Sequence, residues 1–255
     1  MKFLLSMPVL GLLLLAVSQS ASAQEQITIV APGGARAAIE ALIPGFESKT
    51  GYTVKATFGS GLGTKKQAAE GDDFDVKVIQ PPFPAVLASG NVVVKSQTPL
   101  ASVAVGVVVK KGAPKPDIST AASVKAMLLA AKSVTYPDPA GGAAAGVSFD
   151  KTLAQLGIAE QVRSKIKRAQ GGAGAMKLVA QGEVEIGLTF LSEMGEPGIE
   201  VLGPLPADIS TPTRLVGFVS SHTKHPAAAG ALLKYLSSPA AAQVYRANGM
   251  HPDHS

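Results

Sequence analysis

Residues 58–66, FGSGLGTKK, bring three glycines, a serine and two lysines into one short loop. Those types in that order suit an anion. Glycines let the backbone approach closely, and a helix that starts there offers unpaired amides and a partial positive charge. A nucleotide P-loop requires Gly, four residues, then Gly-Lys-Ser/Thr. Here Gly59 and Gly63 are one residue too close, and Thr64 precedes Lys65 instead of following it. The loop keeps the physics of anion capture without the order that a nucleotide demands. Ser60 is its hydroxyl donor.

Two other loops share this build. Residues 32–35 contain Gly33 and Gly34, and residues 140–146 contain Ala144 and Ala145. Each follows a strand-like run and precedes a helix-like one, where open parallel sheets place their ligands. Arg36, Lys65 and Arg214 are each either a carboxylate clamp or a solvated surface charge. Lys77 interrupts the apolar run FDVKVI, so it either snorkels or faces the cleft. Gln80 ends that run within reach of a ligand, and Tyr136 lies where a second lobe would meet the cleft. Asp138 fits a turn cap before Pro139 better than an anion site, since it would repel the ligand.

The other chemistry is sparse. The four histidines fall in HTKH and in HPDH at the end of the chain. Neither closes a ligand set, so no metal and no cofactor are expected. There is no cysteine and no GxSxG elbow to supply a nucleophile.

Composition narrows the partners. The formal charge is +5 and the basic residues are scattered, which suits small anions. No basic run interleaves with aromatics, so no nucleic acid is expected. Residues 1–23 have a lysine, an apolar run and Ala21-Ser22-Ala23, the features of a cleaved signal peptide. The expected location is the periplasm. The apolar run at residues 100–109 is too short to cross a bilayer and fits a buried strand.

These loops need elements to hold them. QITIV, then a helix over about residues 35–51, YTVKATF, a short helix and FDVKVI give a β-α-β-α-β order. That order argues for a parallel sheet with helices on its faces. A long strand, SVAVGVVV, follows, and the alternation restarts with a helix capped at Ser119 or Thr120. TRLVGFVS is a returning strand. Two amphipathic helices starting at Pro226 and Pro239 close the chain. The chain thus crosses twice between two units, near residues 100–109 and 209–218. One lobe is expected from residues 24–102 with 211–255, the other from 103–210.

From YPDPAGGAAAG onward the sequence resembles the periplasmic molybdate-type substrate-binding proteins of ABC transporters. ITIVAPGG, FGSGLGTKKQAAEGDDFDVKVI, MKLVAQGEVEIGLTF and LLKYLSSPAAAQVYRANGM extend the resemblance over nearly the whole chain after residue 23. It implies an α/β, type II periplasmic binding fold: two Rossmann-like lobes with parallel-core sheets, joined by two crossover strands. It also implies a monomer that serves a permease in the inner membrane. The family's first-loop serine falls on Gly34, its serine pair on Ser60 and Gly61, and its tyrosine on Phe190. Its backbone donors fall on Ala145 and near Gly172. Three hydroxyl positions are therefore lost, at Gly34, Gly61 and Phe190, while the amide donors remain. The expected ligand is an organic anion, a (poly)carboxylate, rather than molybdate. Three further readings stay open: a cofactor-free isomerase of an unsaturated polycarboxylic acid, a molybdate or oxyanion carrier, and a ligand-free sensor domain.

Overall fold

The computed structural model describes residues 25–253, so the expected signal peptide and His254 lie outside the described residues. The first half-sheet is built from β1 (Gln26–Pro32), α1 (Arg36–Thr50), β2 (Thr53–Gly59), α2 (Gly61–Glu70) and β3 (Val76–Ile79). β1 lies between β2 and β3 and is parallel to both. Its residues Ile27, Ile29 and Val30 are fully buried, as a central strand covered on both faces must be. α1 turns Ala38, Ile39, Leu42 and Phe46 to the core at helical spacing and stops at Gly51, whose φ of 77° suits only glycine well.

A short helix, α3 (Pro84–Ala88), leads to β4 (Thr98–Val103) and β5 (Val105–Lys110). The expected single strand is thus two strands in two sheets, divided at Ala104. β4 pairs with the returning β10 (Thr213–Val219), whereas β5 joins the second sheet. That second unit continues with α4 (Ala121–Ala130), β6 (Val134–Pro137), α5 (Ala144–Gln155), α6 (Ala159–Val162), β7 (Ile166–Ala169), α7 (Gly171–Ala180), β8 (Ile186–Phe190) and β9 (Ile199–Pro204). Thr120 caps α4 and forms a capping box with Ser123. After β10 come α8 (Pro226–Leu236), α9 (Pro239–Ala247) and β11 (Met250–Pro252).

The two sheets have the orders β11-β4-β10-β3-β1-β2 and β7-β6-β8-β5-β9. Each has a parallel trio, β2-β1-β3 or β7-β6-β8, bordered by one antiparallel strand that adjoins a crossover. The chain passes between sheets at Ala104 and again between β9 and β10. The molecule has the two-lobed α/β architecture of type II periplasmic binding proteins.

Candidate functional site

A cavity of about 600 Å³ lies between the sheets, and its lining comes from the carboxyl ends of all six parallel strands. β1 gives Gly33 and Gly34, β2 gives Ser60 and Gly61, and β3 gives Gln80. β6 is followed by Asp138, Ala144 and Ala145, β7 supplies Arg168 and is followed by Gly172, and β8 ends in Phe190 with Glu193 beyond it. Four helices, α1, α2, α5 and α7, start at or next to this cavity. Helix starts offer free amides and a partial positive charge that suit an anion, although in α2 Leu62 N and Gly63 N are already taken by Gly142 O and Ser60 Oγ.

Close neighbours crowd the glycines. A β-carbon at Gly34 would stand 2.9 Å from Phe190 Cδ2, and one at Gly61 would stand 2.3 Å from Gln80 Oε1. One at Gly172 would stand 2.3 Å from Glu193 Oε2. The space that a side chain would fill at these positions is taken by a phenyl ring, a carboxamide and a carboxylate. Gly146 is tighter still, since its β-carbon would meet Pro137 O at 2.0 Å. Ser60 Oγ accepts from Gly63 N at 3.0 Å and so caps α2 while lining the cavity.

Two charged residues in the lining were not anticipated. Arg168 is held from behind: its Nη1 and Nη2 each lie 3.2 Å from Asp150 Oδ1, and its Cζ sits 4.0 Å from the centre of the Tyr136 ring. Such bracing fixes a guanidinium as a directional carboxylate donor. Glu193 ends the turn after β8, between the loops of both sheets. A β-carbon at Gly33 would lie 3.4 Å from its Oε1. Burial pushes its carboxyl above the usual carboxylate range, although the Thr189 hydroxyl and the Phe190 amide both donate to it and favour ionisation.

The structure brings together Gly33, Gly34, Ser60, Gly61, Gln80, Ala144, Ala145, Gly172 and Phe190. It places four other candidates elsewhere. Arg36 points outward, paired to Glu40 at 3.2 Å and stacked on Phe58. Tyr136 is fully buried, and its hydroxyl donates to Asp150 at 2.6 Å. It supports Arg168 and does not line the cavity. Lys65 and Arg214 line a neighbouring chamber. Lys77 does not face the cleft; it is buried against Asp72, with Nζ 2.9 Å from Oδ1. Asp138 accepts from Ala140 N at 3.0 Å, as a turn cap does. His222 bonds to Asn91 and His225 to Glu25.

Arg168 stands in the polar strand IKRA, and Glu193 follows the apolar run IGLTF. One signal was available for both. β7 is followed by Gln-Gly-Gly, much as β2 is followed by Ser-Gly, and β8 occupies the place in its sheet that β3 occupies in the other.

Comparison with known proteins agrees with this architecture. The profile described as bacterial extracellular solute-binding protein matches residues 27–251. An aconitate isomerase of Pseudomonas sp. is 32% identical over 255 aligned positions, covering 95% of each chain. A molybdate-binding protein of Azotobacter vinelandii is 31% identical over 211, covering 80% of this chain and 81% of that one. Among solved structures, the Azotobacter vinelandii periplasmic molybdate-binding protein superposes with a TM-score of 0.73 at 19% identity, over 88% of this chain and 98% of that one. The sulfate-binding protein of Mycobacterium tuberculosis gives 0.70 at 20%, over 90% and 88%. With two parallel trios facing one amide-lined cavity, and a profile match across both, the chain belongs to the bacterial extracellular solute-binding protein family.

Proposed function

We propose that this chain binds an unsaturated polycarboxylic acid of the aconitate type between its lobes and isomerises it by moving a proton with Glu193. The observation that carries this reading is the partly buried Glu193 carboxyl, its pKa raised by burial, in a cavity lined by helix starts and Arg168, where the other carboxylate, Asp138, is engaged as a turn cap. A protein that only captured anions would be hindered by such a group. A general base with a raised pKa has a use for it. Arg168 and the helix starts hold two carboxylates of the ligand. The Glu193 carboxylate takes a proton from the CH₂ next to a carboxylate and the double bond. The resulting delocalised carbanion is stabilised by the surrounding amides. Glu193 returns the proton to the other end of the allylic unit, so the double bond shifts and no atom is gained or lost. The full-length resemblance to an aconitate isomerase supports the same reading.

The test is to incubate the protein with cis-aconitate in D₂O and follow the proton spectrum. Trans-aconitate appears, with deuterium at exchanged carbons. Glu193→Gln lowers turnover by about 10²-fold or more while calorimetry still detects binding. Tight binding without turnover in the parent protein would sink the enzyme. It would leave the second reading, which the family itself favours: an exported, monomeric periplasmic receptor that passes a (poly)carboxylate to an ABC permease in the inner membrane, by lobe closure.

A further inference from the structure

A second cavity of about 630 Å³ adjoins the first on the side of the second crossover. The two share Gln80 and Ala144. Its charged lining is Lys65 from α2, Lys151 from α5 and Arg214 from β10, with no carboxylate among the lining residues. Arg214 lies 3.3 Å from Asp253 Oδ2. Neither lysine has an ion-pair partner among the described residues. The lysines belong to helices of opposite lobes and act on one another across the chamber. Burial first, and then the charge of Lys151, hold the Lys65 ammonium below its usual range.

Two unpartnered polar atoms lie in the chamber wall. Gln80 Nε2 and Ser210 Oγ are buried and lack a hydrogen-bond partner among the described residues. Both residues line the chamber, and they are 4% and 6% exposed. Buried polar groups are nearly always partnered. Both residues flank the chamber beside its three cations.

We propose that this chamber is a second anion site, taking a compact oxyanion group, carboxylate or phosphate, between Lys65 and Lys151. Empty, the two ammonium groups repel and oppose approach of the lobes. Occupied, the anion bridges them and favours closure. The site goes beyond the proposed chemistry of the first cavity and stands or falls separately from it.

The experiment is calorimetric titration of the purified protein with inorganic phosphate and, separately, with acetate. The double variant Lys65→Gln/Lys151→Gln weakens binding of whichever ion the site prefers by about tenfold or more. Arg168→Gln, which strikes the first cavity, leaves that binding in place. Phosphate alone responding to the lysines assigns a phosphate site, and acetate alone assigns a carboxylate site. Lysine-independent binding, loss through Arg168→Gln instead, or no binding of either ion would overturn the proposal.

Discussion

Glu193 is a costly residue to keep where it stands. Its partly buried carboxyl stands between Gly33 and Gly172 and is pushed above the ordinary range by burial. A raised folded-state pKa means that the fold favours the protonated form. Glu193 therefore supports the fold most at acidic pH, and that support fades as pH rises through the raised value. Glu193→Gln is expected to raise the melting temperature at pH 7, with the gain vanishing near pH 4. If Glu193 is the base proposed above, it must be ionised, and turnover should rise with pH along a limb placed above the usual glutamate value of about 4.3. A melting curve at both pH values and a pH–rate profile check this; a variant that melts lower at pH 7 counts against it. The glycine loops were legible because glycine beside a strand end has few other uses. The two charges were harder to read: the strand-then-glycine pattern marks their neighbourhood, but a lone arginine or glutamate usually lies in solvent, and only the fold shows these two sharing a wall.

Most elements could be read from apolar periodicity, and the exceptions have a physical cause. β4 and β5 form one apolar run, SVAVGVVV, but belong to different sheets, and periodicity cannot show where a strand changes partners. β7, β9 and β11 went unread: IKRA is polar, IEVLGP edges its sheet, and MHP is three residues long. Their register comes from tertiary pairing rather than propensity. Asp75 shows an element held by one side chain. Its Oδ2 accepts from Thr28 N at 2.8 Å and from Thr28 Oγ1 at 2.7 Å, while its Oδ1 accepts from Thr223 Oγ1 at 2.5 Å. It thereby ties β1, the entry to β3 and the approach to α8. Burial pushes its pKa up, but the bonds from Thr223 and Thr28 outweigh burial and lower it. A depressed pKa contributes stability above the unfolded carboxylate value, and that stability is lost as pH falls through the lower folded one. Asp75→Asn is expected to cost about 2 kcal/mol at pH 7 and much less in strong acid. Urea denaturation at the two pH values reads the difference, and equal losses at both would exclude the charge as the cause.

At the scale of the molecule, two parallel trios face each other and are tied directly across the cavity. Ser192 Oγ, after β8, donates to Gly34 O, after β1, at 2.7 Å. Leu62 N, at the start of α2, donates to Gly142 O, before α5, at 3.2 Å. Each bond joins loops of opposite sheets, so each would break if the two units opened apart. Only two connections join the units and would bend in such an opening: Ala104 on one side and residues 205–212 on the other. A bond of this kind stabilises a closed, liganded form and contributes nothing to an open one. Ser192→Ala is therefore expected to weaken binding of trans-aconitate by roughly fivefold, the worth of about 1 kcal/mol. The melting temperature without ligand should stay within error. Small-angle scattering on the parent protein should show a smaller radius of gyration with ligand than without, and the variant should reach that compact state only at higher ligand concentration. If Ser192→Ala instead lowers the ligand-free melting temperature and leaves affinity untouched, the bond belongs to a fixed framework, and the lobes do not close on their ligand as this structure implies.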